Sequence, residues 1–262
     1  MNRPPKLSAR NIHKSFSHGA RRLEVLAGVD LSVRGGELLA VIGPSGCGKS
    51  TLFEIICGLA QPDEGTVEID GEEPTSLTGA VAYMPQEDLL FPWRRVIDNV
   101  ILPLEVKGAS RKEAKEIVRP LFRLFGLEGF EEAYPTQLSG GMRQRAALLR
   151  TFAARREIVA LDEPFGALDA YTRRSMQSWL AELRGELGST VLLITHDVEE
   201  ALILADRVVV LSPRPARVIA ELDVSLSWPR SVVDPDFVAQ KAEILELLDA
   251  EPPIPRRGAE TA

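Results

Sequence analysis

The chain has 262 residues and a formal net charge of −7, with 45% hydrophobic and 26% charged residues, the profile of one large globular domain or of a domain carrying an insert. An acidic balance argues against a protein that coats nucleic acid, because neutralising phosphates needs a basic face. No run approaches the ~20 apolar residues that cross a bilayer, and the start MNRPPKLSARNIHKSF has no apolar core of the secretory kind.

Residues 7–34 read as short antiparallel strands, with apolar residues alternating in LSARNIHKSF and LEVLAGVDLSV. Phe16 in this region can stack on a base or face the core; both readings stay open. The turn Arg34-Gly35-Gly36 leads into the apolar run Leu38–Ile42 and then into GPSGCGKST. That stretch fits G-x-x-x-x-G-K-[ST] at Gly43, Gly48, Lys49 and Ser50, between a strand and an apolar-periodic helix. Glycines let successive N–H groups turn inward, and the helix behind adds its positive end, so the loop makes a cradle for a polyphosphate. Gly43, Pro44, Ser45, Gly46, Cys47, Gly48, Lys49, Ser50 and Thr51 are therefore the candidates for nucleotide binding. Lys49 suits the β- and γ-phosphates, and the Ser50 hydroxyl suits Mg²⁺. The two cysteines, Cys47 and Cys57, show no metal-ligand spacing and read as reduced thiols.

Beyond the first helix, TVEID is bounded by turn residues and reads as a hairpin strand. AVAYMPQ reads as a buried strand ending at Gln86, an amide able to touch Mg²⁺ or an attacking water. From Glu87 to about Arg156 the pattern is helical, with Pro103 breaking VIDNVILPLEV and with Ser110 and Glu113 spaced as a capping box. Ahead of these helices, FPWRR sets Phe91 and Trp93 beside Arg94 and Arg95, a composition enriched at interfaces, and Pro92 holds the segment out of helix. LSGGMRQR then places Ser139, Gly140 and Gly141 at a helix start without bulky side chains, which makes half of an anion site. Taken alone, the residues favour the plainer reading, with Ser139 a simple cap and Arg143 and Arg145 a solvated face.

The run Ile158–Leu161 is a buried parallel strand that delivers Asp162 and Glu163 to its carboxyl end, where open α/β sheets bind ligands. Adjacent carboxylates there can divide labour: Asp162 for Mg²⁺, Glu163 for the attacking water. STVLLITHD is a further core strand, and it puts His196 at the same edge, within reach of a γ-phosphate. RVVVLSP reads as a last core strand, RVIAELDVSLSW as an antiparallel ribbon, VDPDFVAQKAEILELLD as a closing helix, and EPPIPRRGAETA as a disordered tail.

GPSGCGKST, Gln86, LSGGMRQR, VALDEPFGALD and His196 stand in the order of the ATP-binding cassette (ABC) ATPases, which the chain resembles nearly throughout, up to about residue 230. FPWRRVIDNV, EPFGALDAYTR and VVVLSPRPARV are most similar to the ATPase subunits of bacterial importers for nitrate, sulfonates and taurine. The resemblance implies an α/β fold with a P-loop NTPase core: a mainly parallel sheet flanked by helices, an N-terminal antiparallel β subdomain and an inserted α-helical subdomain. It divides the chain into an ATPase domain at 5–230, its helical part at about 90–156, and a C-terminal helix and tail at 231–262.

The resemblance also implies a head-to-tail pair of copies, in which Ser139, Gly140 and Gly141 act in trans on the partner's ATP and Asp169 lies on the loop linking the two sites. Catalysis would then rest on Glu163, His196, Gln86 and Lys49, with Mg²⁺ on Ser50, Gln86 and Asp162 and adenine on Phe16, which stands where the family commonly has tyrosine. A membrane permease would dock near Glu87–Asn99, with a periplasmic or lipid-anchored solute-binding protein engaged indirectly, no nucleic acid, and a peripheral place on the cytoplasmic face of the cell membrane. Importers for thiamine-precursor pyrimidines share much of the pattern, and an exporter cassette or a non-transport ATP switch are the other readings.

Overall fold

The computed structural model describes residues 4–19 and 21–250. Alternating apolar residues build two antiparallel strands, Leu7–His18 (β1) and Arg21–Val33 (β2), with Leu7 opposite Val33. They are longer than their sequence suggested. The ladder tolerates the length through register shifts, one of them beside Asn11 at φ 49°, which let a long twisted ribbon bend. Leu38–Ile42 (β3) follows, then Lys49–Ile56 (α1), whose Leu52, Phe53, Ile55 and Ile56 are fully buried.

Glu64–Ile69 (β4) refines one expectation. Its hairpin is a single antiparallel bridge, Ile69 with Glu72 across Asp70-Gly71; its ladder is with β1, antiparallel with Leu7 opposite Ile69, giving a three-stranded sheet in the order β2-β1-β4. Two features fix this distant pairing: Val67 packs into the core beneath the sheet, and Gly65 lets the chains come close. A Cβ there would stand 2.3 Å from the Asn11 carbonyl oxygen.

Val81–Met84 (β5) leads into the helical stretch: Val96–Val100 (α2), Leu102–Val106 (α3), Arg111–Leu124 (α4) and Gly140–Ala153 (α5). Pro103 sits in the first turn of α3, where a missing N–H costs nothing. α4 opens on the capping box, with Ser110 Oγ accepting from the Glu113 N–H at 3.3 Å and Glu113 Oε2 from the Ser110 N–H at 3.0 Å. The remainder is Ile158–Asp162 (β6), Ala170–Leu187 (α6), Thr190–Thr195 (β7), Val198–Leu204 (α7), Arg207–Leu211 (β8), Val218–Asp223 (β9) and Pro235–Asp249 (α8).

The large sheet runs β5-β6-β7-β3-β8-β9, parallel except for β9, which pairs antiparallel with β8 as an edge strand. Every residue of β3, β6, β7 and β8 is buried, because both faces of the sheet are covered. The pleat splits β3 between two cores. Leu38, Ala40 and Ile42 join Phe122 and Phe125 of the helical stretch, while Leu39 and Val41 join Phe53 and the three-stranded sheet. Each fully buried phenylalanine contributes roughly 1.5–3 kcal/mol. Among the described residues no helix is long and apolar enough to cross a membrane. The tail expected to be disordered, 251–262, lies outside the described residues.

Candidate nucleotide site

The five parallel strands bring their carboxyl ends to one edge, and a cleft of about 560 Å³ opens there. Phe16, Leu23 and Val25 form an apolar wall. Ser45, Gly46 and Gly48–Thr51 form the floor, and Gln86, Glu163 and Arg214 complete the rim. The phosphate loop demands glycine at Gly48 twice over: its φ is +125°, and a Cβ would lie 2.8 Å from Val25 Cγ1. The buried Lys49 ammonium donates to the carbonyls of Gly43 (2.8 Å) and Pro44 (3.0 Å). Cys47 is fully buried inside the loop, where burial pushes its thiol up, and burial takes Cys57 up to about 12. Neither is a reactive thiolate at neutral pH.

Asp162 ends β6 almost wholly buried. Its Oδ2 accepts from the Tyr83 hydroxyl at 3.2 Å, and Ser50 is a second hydrogen-bond partner. Burial raises its pKa, and the Ser50 and Tyr83 bonds oppose that rise. The other oxygen, Oδ1, is buried with no hydrogen-bond partner. A buried carboxylate oxygen left unpaired beside a serine hydroxyl is a hard-oxygen donor set that fits Mg²⁺. Among the described residues no three His, Cys, Asp or Glu side chains form a metal group of their own.

Glu163 sits at φ +44°, a left-handed backbone that costs a non-glycine residue on the order of 1 kcal/mol and is held by its N–H donating to the Ile194 carbonyl at 2.9 Å. One carboxylate oxygen, Oε2, accepts from Gln86 Nε2 at 3.2 Å and lies 3.1 Å from His196 Nδ1. Residues from the ends of β5, β6 and β7 thus meet at a single atom. Gln86, grouped with Ser50 and Asp162 as a metal ligand in the sequence, makes its bond here to Glu163.

Ser139 caps α5 by accepting from the Met142 N–H at 3.3 Å. Ser139, Gly140 and Gly141 do not line the phosphate cleft. Gly140 instead borders a second cleft of about 730 Å³ with Gln86, Asp88, Arg143 and Leu168. None of the three residues expected to act in trans therefore shares a cleft wall with the phosphate loop of its own chain, although Gln86 lines both clefts. Asp169 turns inward to its own helix start, accepting from the N–H groups of Tyr171 and Thr172, both at 3.1 Å. Phe91 and Trp93 stack with ring centres 5.1 Å apart, and Trp93 is 71% exposed. Buried Asn99 pins that loop, accepting from the Phe91 N–H at 2.7 Å and donating to the carbonyls of Phe91, Arg94 and Arg95.

Four residues near the site went unremarked in the sequence. Tyr83 holds Asp162, and the two-residue alternation of AVAYMPQ gives no hint of it. Arg173 donates to the Leu168 carbonyl at 3.0 Å and lies 3.9 Å from Asp197, whose other oxygen caps α7 through the N–H groups of Glu199 and Glu200. Glu200, on α7, is buried against Gln177, and burial, with Asp197 nearby, pushes it up to about 8. Arg214 reaches the cleft from the loop after β8.

The family model described as ABC transporter matches residues 26–166. An uncharacterized ABC transporter ATP-binding protein of Methanocaldococcus jannaschii is 44% identical over 94% of this chain and 92% of its own length. The taurine import ATP-binding protein TauB of Escherichia coli O157:H7 is 43% identical over 84% of this chain and 90% of its own. An ATP-binding cassette solved as a dimer, in a post-hydrolysis state bound to ADP and Pi, aligns with TM-score 0.73 and 31% identity, covering 84% of this chain and all of that one.

Proposed function

The chain belongs to the ABC transporter family of ATPases, and from that premise we propose that it is the ATP-hydrolysing subunit of an importer for a small solute such as nitrate, a sulfonate or taurine. It would work through a separate membrane permease, on the cytoplasmic face of the membrane, as a head-to-tail pair. The observation that carries the reading is the meeting of Glu163 Oε2 with Gln86 and His196 at the mouth of the phosphate-loop cleft.

In this reading Lys49 and the inward N–H groups of Gly46–Thr51 hold the β- and γ-phosphates, and Phe16 stacks on the adenine. Ser50 and Asp162, with Gln86, would hold Mg²⁺, which when bound would supply positive charge to the phosphate oxygens. Glu163 takes a proton from water as the water oxygen bonds to the γ-phosphorus and the β–γ bridge bond breaks, leaving ADP and phosphate. Nδ1 of His196 faces Glu163, and the ring, when it carries both protons, donates from Nδ1 to that carboxylate and from Nε2 to the γ-phosphate, while Gln86 steadies the carboxylate. Ser139, Gly140 and Gly141 close on the ATP of the second copy. That they do not line the phosphate-loop cleft of their own chain supports that arrangement. The exposed Phe91–Trp93 stack, rigid through Asn99, suits the permease contact.

Glu163→Gln keeps the shape and loses the base, so it should retain ATP binding while phosphate release falls by on the order of 10²–10⁴-fold. Turnover equal to the wild type would refute the assignment. A mixed pair of Lys49→Ala and Ser139→Arg copies should keep one intact composite site. Loss of all turnover in that pair would refute the arrangement in trans.

A further inference from the structure

Four of the five parallel strands end on residues that the ATPase reading uses. The fifth, β8, ends at Leu211 on the same edge, and residues 212–217 double back from it to start β9. This loop is fixed from several sides. The Ser212 N–H donates to the Arg217 carbonyl at 2.9 Å, and the buried Ser212 hydroxyl accepts from the Arg217 N–H at 3.0 Å. Fully buried Ala216 stitches the loop to β2: its N–H donates to the Val25 carbonyl at 2.8 Å, and its carbonyl accepts from the Ala27 N–H at 3.0 Å. On the other flank, the Leu211 carbonyl oxygen would stand 3.0 Å from any Cβ at Gly43, the start of the phosphate loop. The loop is therefore packed against both β2 and the phosphate loop. Arg214, between Pro213 and Pro215 at the tip, lines the cleft together with Phe16, Ser45 and Lys49.

The chemistry of the cleft leaves one role for that side chain. The apolar wall of Phe16, Leu23 and Val25 suits a base. A guanidinium offers five N–H donors, carries a permanent charge and accepts nothing. Arg207, Arg143 and Arg95 each meet a carboxylate. Among the described residues no carboxylate lies within ion-pair distance of Arg214. The other cations nearby are engaged: Lys49 with two carbonyls, and Lys14 with the Gln61 carbonyl and Asp63. Glu163, the carboxylate on the rim, is already held by Gln86 and His196.

We propose that Arg214 is a nucleotide contact, its guanidinium pairing with the phosphate chain of bound ATP or ADP from the loop that packs against β2 and the phosphate loop. The inference rests on the ATP-site reading above. The test is calorimetric binding of ATP and ADP, at low and high salt, to the full chain and to Arg214→Gln and Arg214→Lys. Because Arg214 is exposed at a loop tip, both variants should melt with the wild type. Arg214→Gln should bind both nucleotides about tenfold more weakly at low salt, the deficit shrinking at high salt, and Arg214→Lys should recover most of the loss. Equal affinity in Arg214→Gln and the wild type would overturn the proposal and leave the ATP site standing. A deficit indifferent to salt would overturn it in favour of stacking on the base. Failure of the wild type itself to bind ATP would remove the site reading and this inference together.

Discussion

Glu200 offers a quantitative check on the packing between α6 and α7. Its carboxyl is 3% exposed, one oxygen has no hydrogen-bond partner, and the other accepts from Gln177 Nε2 at the limit of 3.5 Å. Burial, reinforced by the Asp197 carboxylate, moves it from the usual 4.5 to about 8, against the opposing pull of Thr195, Gln177 and Arg173. The folded chain therefore keeps a proton that the unfolded chain releases above about pH 4.5. Stability must fall as pH rises from there to about 8, after which both states are ionised and the full cost is in place. At 1.36 kcal/mol for each pH unit that cost is at most roughly 5 kcal/mol. Glu200→Gln keeps the shape and cannot ionise. Below about pH 4.5 the variant should match the wild type. Its advantage in melting temperature should grow with pH, up to about 10 °C near pH 9 for a chain of this size. Thermal melts followed by circular dichroism across that range test it. Parallel wild-type and variant profiles would refute the claim that Glu200 is buried as a neutral acid.

Two further outcomes follow from the geometry. Phe16→Ala should weaken ATP binding by about tenfold with little change in melting temperature, because the ring is 45% exposed, and Phe16→Tyr should restore affinity; nucleotide titration reads both. Ser110→Ala removes the oxygen that caps α4 and should cost about 1 kcal/mol in urea unfolding, and Ser110→Asp should recover most of it.

The parts of the site legible in the sequence were those fixed by local backbone. GPSGCGKST dictates its own loop because glycine spacing and the helix behind leave few conformations. Asp162, Glu163 and His196 follow from apolar runs that can only be buried parallel strands with polar ends. What depends on distant pairing was hidden. β4 finds β1 across more than forty residues, and no turn signal marks that choice. Arg214 joins the cleft only because Ala216 pairs with β2, and Tyr83 meets Asp162 only because β5 lies beside β6. Glu200 lies four places after His196 on a short helix, and nothing in DVEEALILAD says which of its two glutamates is buried.

Arg173 has the widest reach among these hidden residues. One planar cation touches the backbone of the segment that carries Asp169 and the carboxylate that organises the turn after His196. Those two stretches share a fastener, so they loosen together. Damage to either should be felt at both, and substitutions at Arg173 and Asp197 should combine with an energy different from the sum of their separate effects.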